Sequence, residues 1–348
     1  AARHDPRPHD CGRIETDWTG QRMKRIAIAA VALALLISGC NATKVSDLQS
    51  RGELKAGSKP CGTFNLAINS WVGYEANAAV ITYLAENVLG CFVKQRHIAE
   101  QVSWQGMSTG QVDAIVENWG HDDLRQQYID NMGVAQSAGS TGIEGEIGWY
   151  VPPWMAEEYP DITDWRNLNK YAHLFQTSES GDKGQLLDGD PAYVTNDDAL
   201  VSNLGLDYKV VQGGSETALI SSIRQAQQQR KPLLAYFYSP QWLLSEVPMV
   251  KINLPPYTDG CDADPAKIAC DYPAYDLDKI VSTKFAESGS PAYTLVKNFQ
   301  WTAEDQNSVA RSIAMDGMSD DEAAKKFIDA HPQLVAKWLA GTGAENAA

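Results

Sequence analysis

The sequence predicts an α/β fold built in two lobes. Its 348 residues are too many for one small domain and suit two. Short apolar runs alternate with helical patterns, which is typical of a parallel sheet made of right-handed βαβ units. The clearest run, residues 233–242, begins after Pro232 and stops at Ser239-Pro240, because proline cannot donate a hydrogen bond to a sheet ladder.

Three predicted strands also end on aromatic residues. In open α/β sheets, ligands bind at the carboxyl ends of the strands. The sequence therefore predicts one aromatic-lined site assembled from distant parts of the chain. The strands and their aromatic residues are 64–70 with Trp71, 113–118 with Trp119, and 233–242 with Tyr238 and Trp242.

The first half of the chain follows a strand–helix pattern. A Gly/Ser/Ala-rich segment, residues 131–145, follows it and is interpreted as the approach to a hinge. The predicted elements, in order, are a strand at 64–70, a helix at 73–89, a strand at 91–95, a short helix at 107–112 and a strand at 113–117.

The second half opens with a strand stopped by Pro152-Pro153, and Ser215 is expected to cap a long helix. Ser319 and Glu322 predict a capping box at the last helix. The predicted elements are a strand at 147–151, helices at 154–159 and 164–171, a loop at 181–191, a strand at 208–212, a helix at 215–229, a loop at 255–276, a crossing strand from about 280, and helices at about 292–312 and 320–339.

The charge of the chain is strongly acidic. The net charge is −15, and residues 1–39 contribute +2 of it, which leaves −17 for the remainder. Nucleic-acid binding needs a basic surface, so this class of function is excluded. An acidic body suits a soluble protein and is compatible with a cationic ligand.

The N-terminal region predicts export and lipidation. Residues 23–39 have the Met-Lys-Arg start and the apolar stretch of a signal peptide, and residues 36–40 resemble the lipobox of bacterial lipoproteins. This resemblance implies acylation of Cys40, whereas the alternative is a plain signal peptide. Residues 1–22 are interpreted as lying upstream of the true start, and residues 40–60 as a tether.

Four further cysteines are expected to form disulfides in an oxidising compartment. Cys61 and Cys91 precede adjacent predicted strands, and Cys261 and Cys270 bracket an Asp/Pro-rich loop. We pair Cys61 with Cys91 and Cys261 with Cys270, although other connectivities stay open.

Three common enzyme motifs are absent from the sequence. It contains no HExxH, P-loop or GxGxxG motif, and we expect a binding protein without catalytic residues or cofactor. The Asp-rich segments 188–190 and 259–264 lack EF-hand spacing, and no Cys/His pattern predicts zinc, so no metal is expected. His121 is interpreted as a surface histidine.

Aromatic residues can recognise a quaternary ammonium group. Such a cation cannot donate an ordinary hydrogen bond, and a protein surrounds its methyl groups with ring faces. Four rings at roughly 0.5–2 kcal/mol each give about 2–8 kcal/mol, against about 8 kcal/mol for micromolar affinity. A second set of contacts is therefore expected.

Three motifs together resemble the glycine betaine/choline-type substrate-binding proteins of ABC importers, the OpuAC-like family. They are residues 110–119, 189–193 and 235–242, and the resemblance extends from about Phe64 to Trp338. It implies a two-lobed periplasmic-binding-protein fold of type II with the ligand in the cleft between the lobes. Lobe 1 is then expected at 61–147 plus 281–345, and lobe 2 at 148–280.

The resemblance also implies a set of cage residues. Trp119 matches the tryptophan of the family's Asn-Trp motif, and Trp71 matches an aromatic of the choline-type branch. Tyr193 and Tyr238 stand where many members have tryptophan, and these changes keep the ring while adding a hydroxyl. Trp149 lies near an aromatic residue that some members use.

A ligand carboxylate needs N–H donors. The resemblance implies that the backbone of Val194 and Thr195 lies where some members of the family bind the ligand carboxylate. Some relatives have histidine at the position of Gln241. The further candidates for this second set of contacts are Ser70, Ser239 and Gln241.

The charges near the cage motifs do not decide whether the ligand is glycine betaine or choline. No Arg or Lys adjoins these motifs, and Glu75 and Glu117 lie near them. Acidic neighbours favour a purely cationic ligand such as choline, although both can also be surface charges.

The implied partners are a small quaternary amine, an ABC permease with its ATPase, and the cell membrane through the lipid anchor. The protein itself is expected to be an extracytoplasmic monomer. The alternatives are the same fold with another solute (an amino acid, a sulfur betaine or a lipid head group), a ligand-sensing subunit, or a secreted enzyme on a two-lobed scaffold.

Overall fold

The computed structural model describes residues 61–344. The predicted upstream segment 1–22, the signal peptide 23–39 and the tether 40–60 with Cys40 lie outside these residues. No helix among the described residues is long and apolar enough to cross a membrane.

One mixed sheet of nine strands organises residues 61–344, in the order β2-β1-β3-β9-β4-β7-β5-β6 with β8 paired to β4. The strands are β1 Thr63–Ile68, β2 Phe92–His97, β3 Ala114–Asn118, β4 Ala135–Val151, β5 Gly184–Asp188, β6 Tyr208–Gln212, β7 Leu234–Ser239, β8 Val250–Lys251 and β9 Ala274–Ser282.

Helices connect the strands and close the chain. They are α1 Val72–Asn87, α2 Glu100–Thr109, α3 Asp122–Arg125, α4 Pro153–Glu158, α5 Leu168–Tyr171, α6 Asp197–Asn203, α7 Glu216–Gln229, α8 Thr283–Glu287, α9 Pro291–Asn298, α10 Ala303–Ala314, α11 Asp320–Ala330 and α12 Pro332–Leu339. A π-helical segment Gln126–Asn131 and four 3₁₀ segments, Pro160–Thr163, Trp165–Asn167, Ala172–Phe175 and Trp242–Ser245, complete the set.

The sheet consists of two parallel halves joined by two long antiparallel strands. β1 is parallel to β2 and β3, and β5 is parallel to β6 and β7. β4 and β9 run antiparallel to each other between these halves. The expected lobe boundaries, 147–148 and 280–281, fall within β4 and β9 and stay predictions.

Residues 135–145 of the segment predicted to approach a hinge form the first part of β4, and the hinge itself stays a prediction. Its glycines and serines alternate in burial with apolar residues, as a half-exposed strand requires. β9 supplies the hydrogen-bonding partners from Ser282 back to Ala274, with two register shifts. Small residues weaken the sequence signal of a strand, but they do not prevent its backbone from pairing with a neighbouring strand such as β9.

Three other segments differ from expectation. The predicted loop at 181–191 contains β5, whose buried leucines, Leu186 and Leu187, form too short an apolar run to stand out. Of the short helix expected at 107–112, only residues 107–109 are helical, and they form the end of α2. The last two predicted helices are each divided, at residues 299–302 and before Pro332, where a proline starts α12.

Other elements follow their sequence signals closely. The Ser215 hydroxyl accepts a hydrogen bond from the Ala218 N–H at 3.2 Å and begins α7. The structure contains the disulfides Cys61–Cys91 and Cys261–Cys270, with Cα–Cα distances of 4.8 and 6.3 Å. The first joins the starts of β1 and β2, and the second closes a loop near the end of β8.

We expect loss of one helix cap to destabilise the protein measurably. Ser319 and Glu322 form the predicted capping box at α11, so Ser319→Ala leaves N–H groups at the helix start without partners. The expected cost is about 1 kcal/mol in the free energy of unfolding, measured by urea denaturation. Ser308→Ala, an exposed site inside α10, is the control, and an equal cost in both variants contradicts the assignment.

Candidate functional site

A cavity of about 1130 Å³ lies where the carboxyl ends of strands from both halves of the sheet meet. This volume lies somewhat above the roughly 300–1,000 Å³ typical of small-molecule sites. Aromatic side chains form much of its wall: Trp71, Trp119, Tyr193, Tyr236, Tyr238 and Tyr275.

Three pairs of neighbouring rings in this cluster are nearly perpendicular, like adjoining walls of a box. The centroids of Trp71 and Tyr193 lie 5.9 Å apart at an angle of 82°. Tyr193 and Tyr238 lie 6.2 Å apart at 88°, and Tyr238 and Trp119 lie 5.7 Å apart at 80°. Tyr275 adds a further ring 5.8 Å from Trp119. Residues from five separate stretches of the chain thus form one aromatic cluster.

A single buried carboxylate holds both tryptophans. Trp71 and Trp119 donate their indole N–H groups to the same oxygen of Glu117, at 2.6 and 2.8 Å. The other oxygen accepts hydrogen bonds from Gln306, at 2.7 Å, and from Asn77. Glu117 is 1% exposed, so its orienting contacts are shielded from water.

The charge state of Glu117 follows from its partners. Burial raises the pKa of Glu117 to about 7, although hydrogen bonds from Trp71, Trp119, Gln306 and Asn77 lower it. All four neighbours are donors, and a protonated carboxyl would place its own proton against one of them. The arrangement therefore fits the ionised form, which polarises both indoles and makes their faces more attractive to a cation.

Two glycines allow the rings to pack closely against the backbone. A Cβ atom at Gly145 of β4 would lie 2.6 Å from Cζ3 of Trp119, and one at Gly189 would lie 2.6 Å from Cδ2 of Tyr193. Any larger residue at either position displaces a ring of the cluster.

Two predicted contact residues lie behind the cavity wall and do not line it. Trp149 is fully buried and donates its indole N–H to Asp197 at 2.8 Å. Gln241 donates its side-chain amide to Glu216 at 2.9 Å. Both can support the site through their neighbours, Tyr236 and Tyr238.

Val194 and Thr195 do line the cavity. Within residues 61–344, no acceptor contacts the N–H group of either residue. The Thr195 hydroxyl donates to Asp188 at 3.0 Å and fixes the segment to the end of β5. Ser70 and Ser239, the remaining candidates, are not among the lining residues.

The outer wall of the cavity is acidic. Arg125 pairs with Asp278 at 2.5 Å, and His121 pairs with Glu100 at 2.8 Å. His121 was expected at the surface, but its side chain is 10% exposed, so that prediction was wrong. Burial by itself lowers the pKa of His121, but the charge and the hydrogen bond of Glu100 together outweigh burial, so the pKa is raised.

The carboxylates that line the cavity are Glu100, Asp122, Asp123, Asp130, Asp262 and Asp276.

Sequence reasoning missed two rings of the cluster, Tyr236 and Tyr275. Tyr236 lies two residues before Tyr238 on β7, and the period of two that puts them on one face was a usable signal. Tyr275 begins β9 at the end of a segment predicted as loop, and no local pattern distinguished it.

The fold and the site define a two-lobed solute-binding protein of the periplasmic-binding type. Residues 62–330 match the model of the OpuAC family, described as the substrate-binding domain of ABC-type glycine betaine transport systems. The chain belongs to this family, as its three motifs predicted.

Several known proteins resemble the chain. It is 29% identical over 131 residues to the glycine betaine/carnitine transport binding protein GbuC of Listeria monocytogenes serotype 1/2a (strain 10403S). That match covers 38% of this chain and 39% of the relative, so it spans less than half of either.

The solved structures with a similar fold cover more of the chain. Lactococcal OpuAC complexed with glycine betaine has a TM-score of 0.62 and 22% identity, over 80% of this chain and 99% of that one. A choline-binding protein of an ABC transporter, in complex with choline, has a TM-score of 0.66 and 16% identity, over 81% and 94%. The ProX protein of Borrelia burgdorferi gives 0.66 and 16%, over 81% and 98%.

We expect a buried carboxyl behind the cavity to make the folded protein less stable as the pH rises. Burial raises the pKa of Asp197 from an ordinary 3.8 to about 8, so the folded protein holds a proton that the unfolded chain releases. Stability therefore falls as the pH rises from about 4 to about 8.

Asp197→Asn tests this directly, because asparagine keeps an acceptor oxygen for Trp149 and Tyr272 but does not titrate. The decrease in Tm between pH 5 and pH 8 is expected to be smaller than in the wild type. The control is Asp182→Asn at an exposed position remote from Asp197 in sequence, and equal decreases in all three proteins contradict the assignment.

Proposed function

We propose that this protein captures a quaternary-ammonium compound in its aromatic cluster and delivers it to an ABC permease. The observation that carries the proposal is the shared carboxylate of Glu117. It fixes the N–H edges of Trp71 and Trp119 behind the cavity wall, and the adjoining tyrosines complete a box of rings. A box of ring faces is the arrangement that recognises methylated ammonium groups.

Simple energetics are consistent with an ammonium ligand held mainly by the rings. Six rings at roughly 0.5–2 kcal/mol each give about 3–12 kcal/mol before ordering costs, which spans the roughly 8 kcal/mol of micromolar binding. Contacts to the remainder of the ligand then set the affinity and select among quaternary amines.

Glycine betaine and choline remain the two candidate ligands, and different features favour each. The N–H groups of Val194 and Thr195 offer donors to a carboxylate. The acidic outer wall and Glu117 attract a cation and repel a carboxylate. The betaine and choline bound by the structurally similar proteins agree with this class of ligand.

We infer the cellular location and the partners of the protein from its family and from its N-terminal sequence. Substrate-binding domains of ABC importers work outside the cytoplasm with a permease and its ATPase, and we place this chain there as a monomer anchored through lipid at Cys40. As a binding protein it requires no catalytic group. The same fold with a different solute, or a sensing role, is the alternative.

Replacing a cage tryptophan is expected to weaken binding strongly. Trp119→Ala removes a ring with two aromatic neighbours, and the affinity for the better of glycine betaine and choline should fall about tenfold or more. Titration followed by tryptophan fluorescence measures this. Trp165→Ala, a partly buried ring outside the cavity, is the control. Unchanged affinity in Trp119→Ala refutes the cage.

Neutralising the shared carboxylate is expected to weaken binding while the rings stay present. Glu117→Gln turns an NH₂ group toward indole or amide donors and removes the negative charge, so affinity should fall about tenfold. Calorimetric titration measures it. Glu144→Gln makes the same change in net charge at an exposed site of β4 and should bind as the wild type does. Equal affinities in both variants overturn the role of Glu117.

A further inference from the structure

A second buried carboxylate, Glu216, connects the two halves of the molecule. It is the first residue of α7, is 8% exposed, and does not line the cavity. One of its oxygens accepts the backbone N–H of Val72 at 2.9 Å. The other accepts the side-chain amide of Gln241 at 2.9 Å and the hydroxyl of Tyr238.

These partners belong to opposite halves of the sheet. Val72 is the first residue of α1, which lies between β1 and β2, and it directly follows the cage residue Trp71. Glu216, Tyr238 and Gln241 lie on α7, on β7 and just beyond β7, in the half that contains β5 and β6. The carboxylate therefore joins the helix behind one cage ring to the hydroxyl of another.

The start of α1 depends on this contact from across the cleft. Trp71, at the N-cap position, makes no side-chain capping bond. Glu216 takes that role from the other half, and its negative charge lies beside the positive ends of both α1 and α7. Every partner of the carboxylate is a donor, as an ionised group requires.

We propose that Glu216 is a positioning residue that latches the two halves together and couples their closure to the cage. When the halves separate, the N–H of Val72 moves away from the Glu216 carboxylate. The carboxylate that accepts the Tyr238 hydroxyl is then held only by its own half of the molecule. The latch therefore acts on the lifetime of the bound state. Its kinetic test rests on the proposed quaternary-ammonium ligand.

Val72→Pro removes the N–H group that the latch uses and leaves Glu216 intact. Proline is favoured at the first position of a helix, where its missing N–H is not needed within the helix. The preceding residue must be extended, and Trp71 is, with φ −125° and ψ 147°. Val72→Ala, which keeps the N–H, is the matched reference.

The measurement is stopped-flow fluorescence with glycine betaine and choline, which separates association from dissociation rates. Val72→Pro is expected to dissociate about ten to a hundred times faster than Val72→Ala, with association changed much less, because a charge-assisted hydrogen bond is lost from the closed state. Equal dissociation rates in the two variants overturn the proposal.

Glu216→Gln provides the second test from the other side of the contact. It should also accelerate dissociation, because it removes the charge that strengthens the bond to Val72. Combining it with Val72→Pro should cost less than the sum of the two single changes, because Val72→Pro removes the same bond. Glu304→Gln, an exposed site on α10, controls for the loss of charge. Full additivity of the two changes counts against the latch.

A wild-type protein that binds neither compound refutes the proposed function but not the latch. In that case small-angle scattering of the ligand-free proteins decides the question. A larger radius of gyration in Val72→Pro than in Val72→Ala supports the latch, and equal radii overturn it.

Discussion

The carboxylate of Glu117 is the interaction on which the binding site depends. It receives four donors, and they come from the segment after β1, the segment after β3, α1 and α10. A buried charge is costly unless it is fully hydrogen-bonded, and this one is. The same contacts that compensate for its burial also fix the orientation of two indole rings. Stability and ligand recognition therefore share one set of hydrogen bonds.

The architecture of the sheet explains why such a site forms at this place. Each parallel half directs the carboxyl ends of its strands toward the junction made by β4 and β9. Trp71 and Trp119 come from one half, and Tyr193 and Tyr238 from the other. A box of rings built in this way is complete when both halves are in contact, so hinge motion can open and close it.

Carboxylates recur around the site in two different roles. Glu117, Asp197 and Glu216 are buried and orient aromatic residues through N–H and O–H donors. The carboxylates of the outer wall, such as Asp122 and Asp262, face the cavity instead. The first group shapes the cage, and the second gives the approach to it a negative potential that favours cations.

The sequence by itself determined the fold class, most strands and helices, and three rings of the cluster, because these depend on local patterns of apolar, capping and aromatic residues. The resemblance of three motifs to a known family added the family itself and Tyr193. Sequence reasoning missed β5, the early part of β4, Tyr236 and Tyr275, whose local signals are short or weak. The tertiary structure alone decided what holds the rings. Glu117 and Gln306 are 189 positions apart, and Glu216 and Val72 are 144 apart. No local pattern encodes such contacts, because burial and hydrogen bonding between distant segments arise only when the sheet has brought them together.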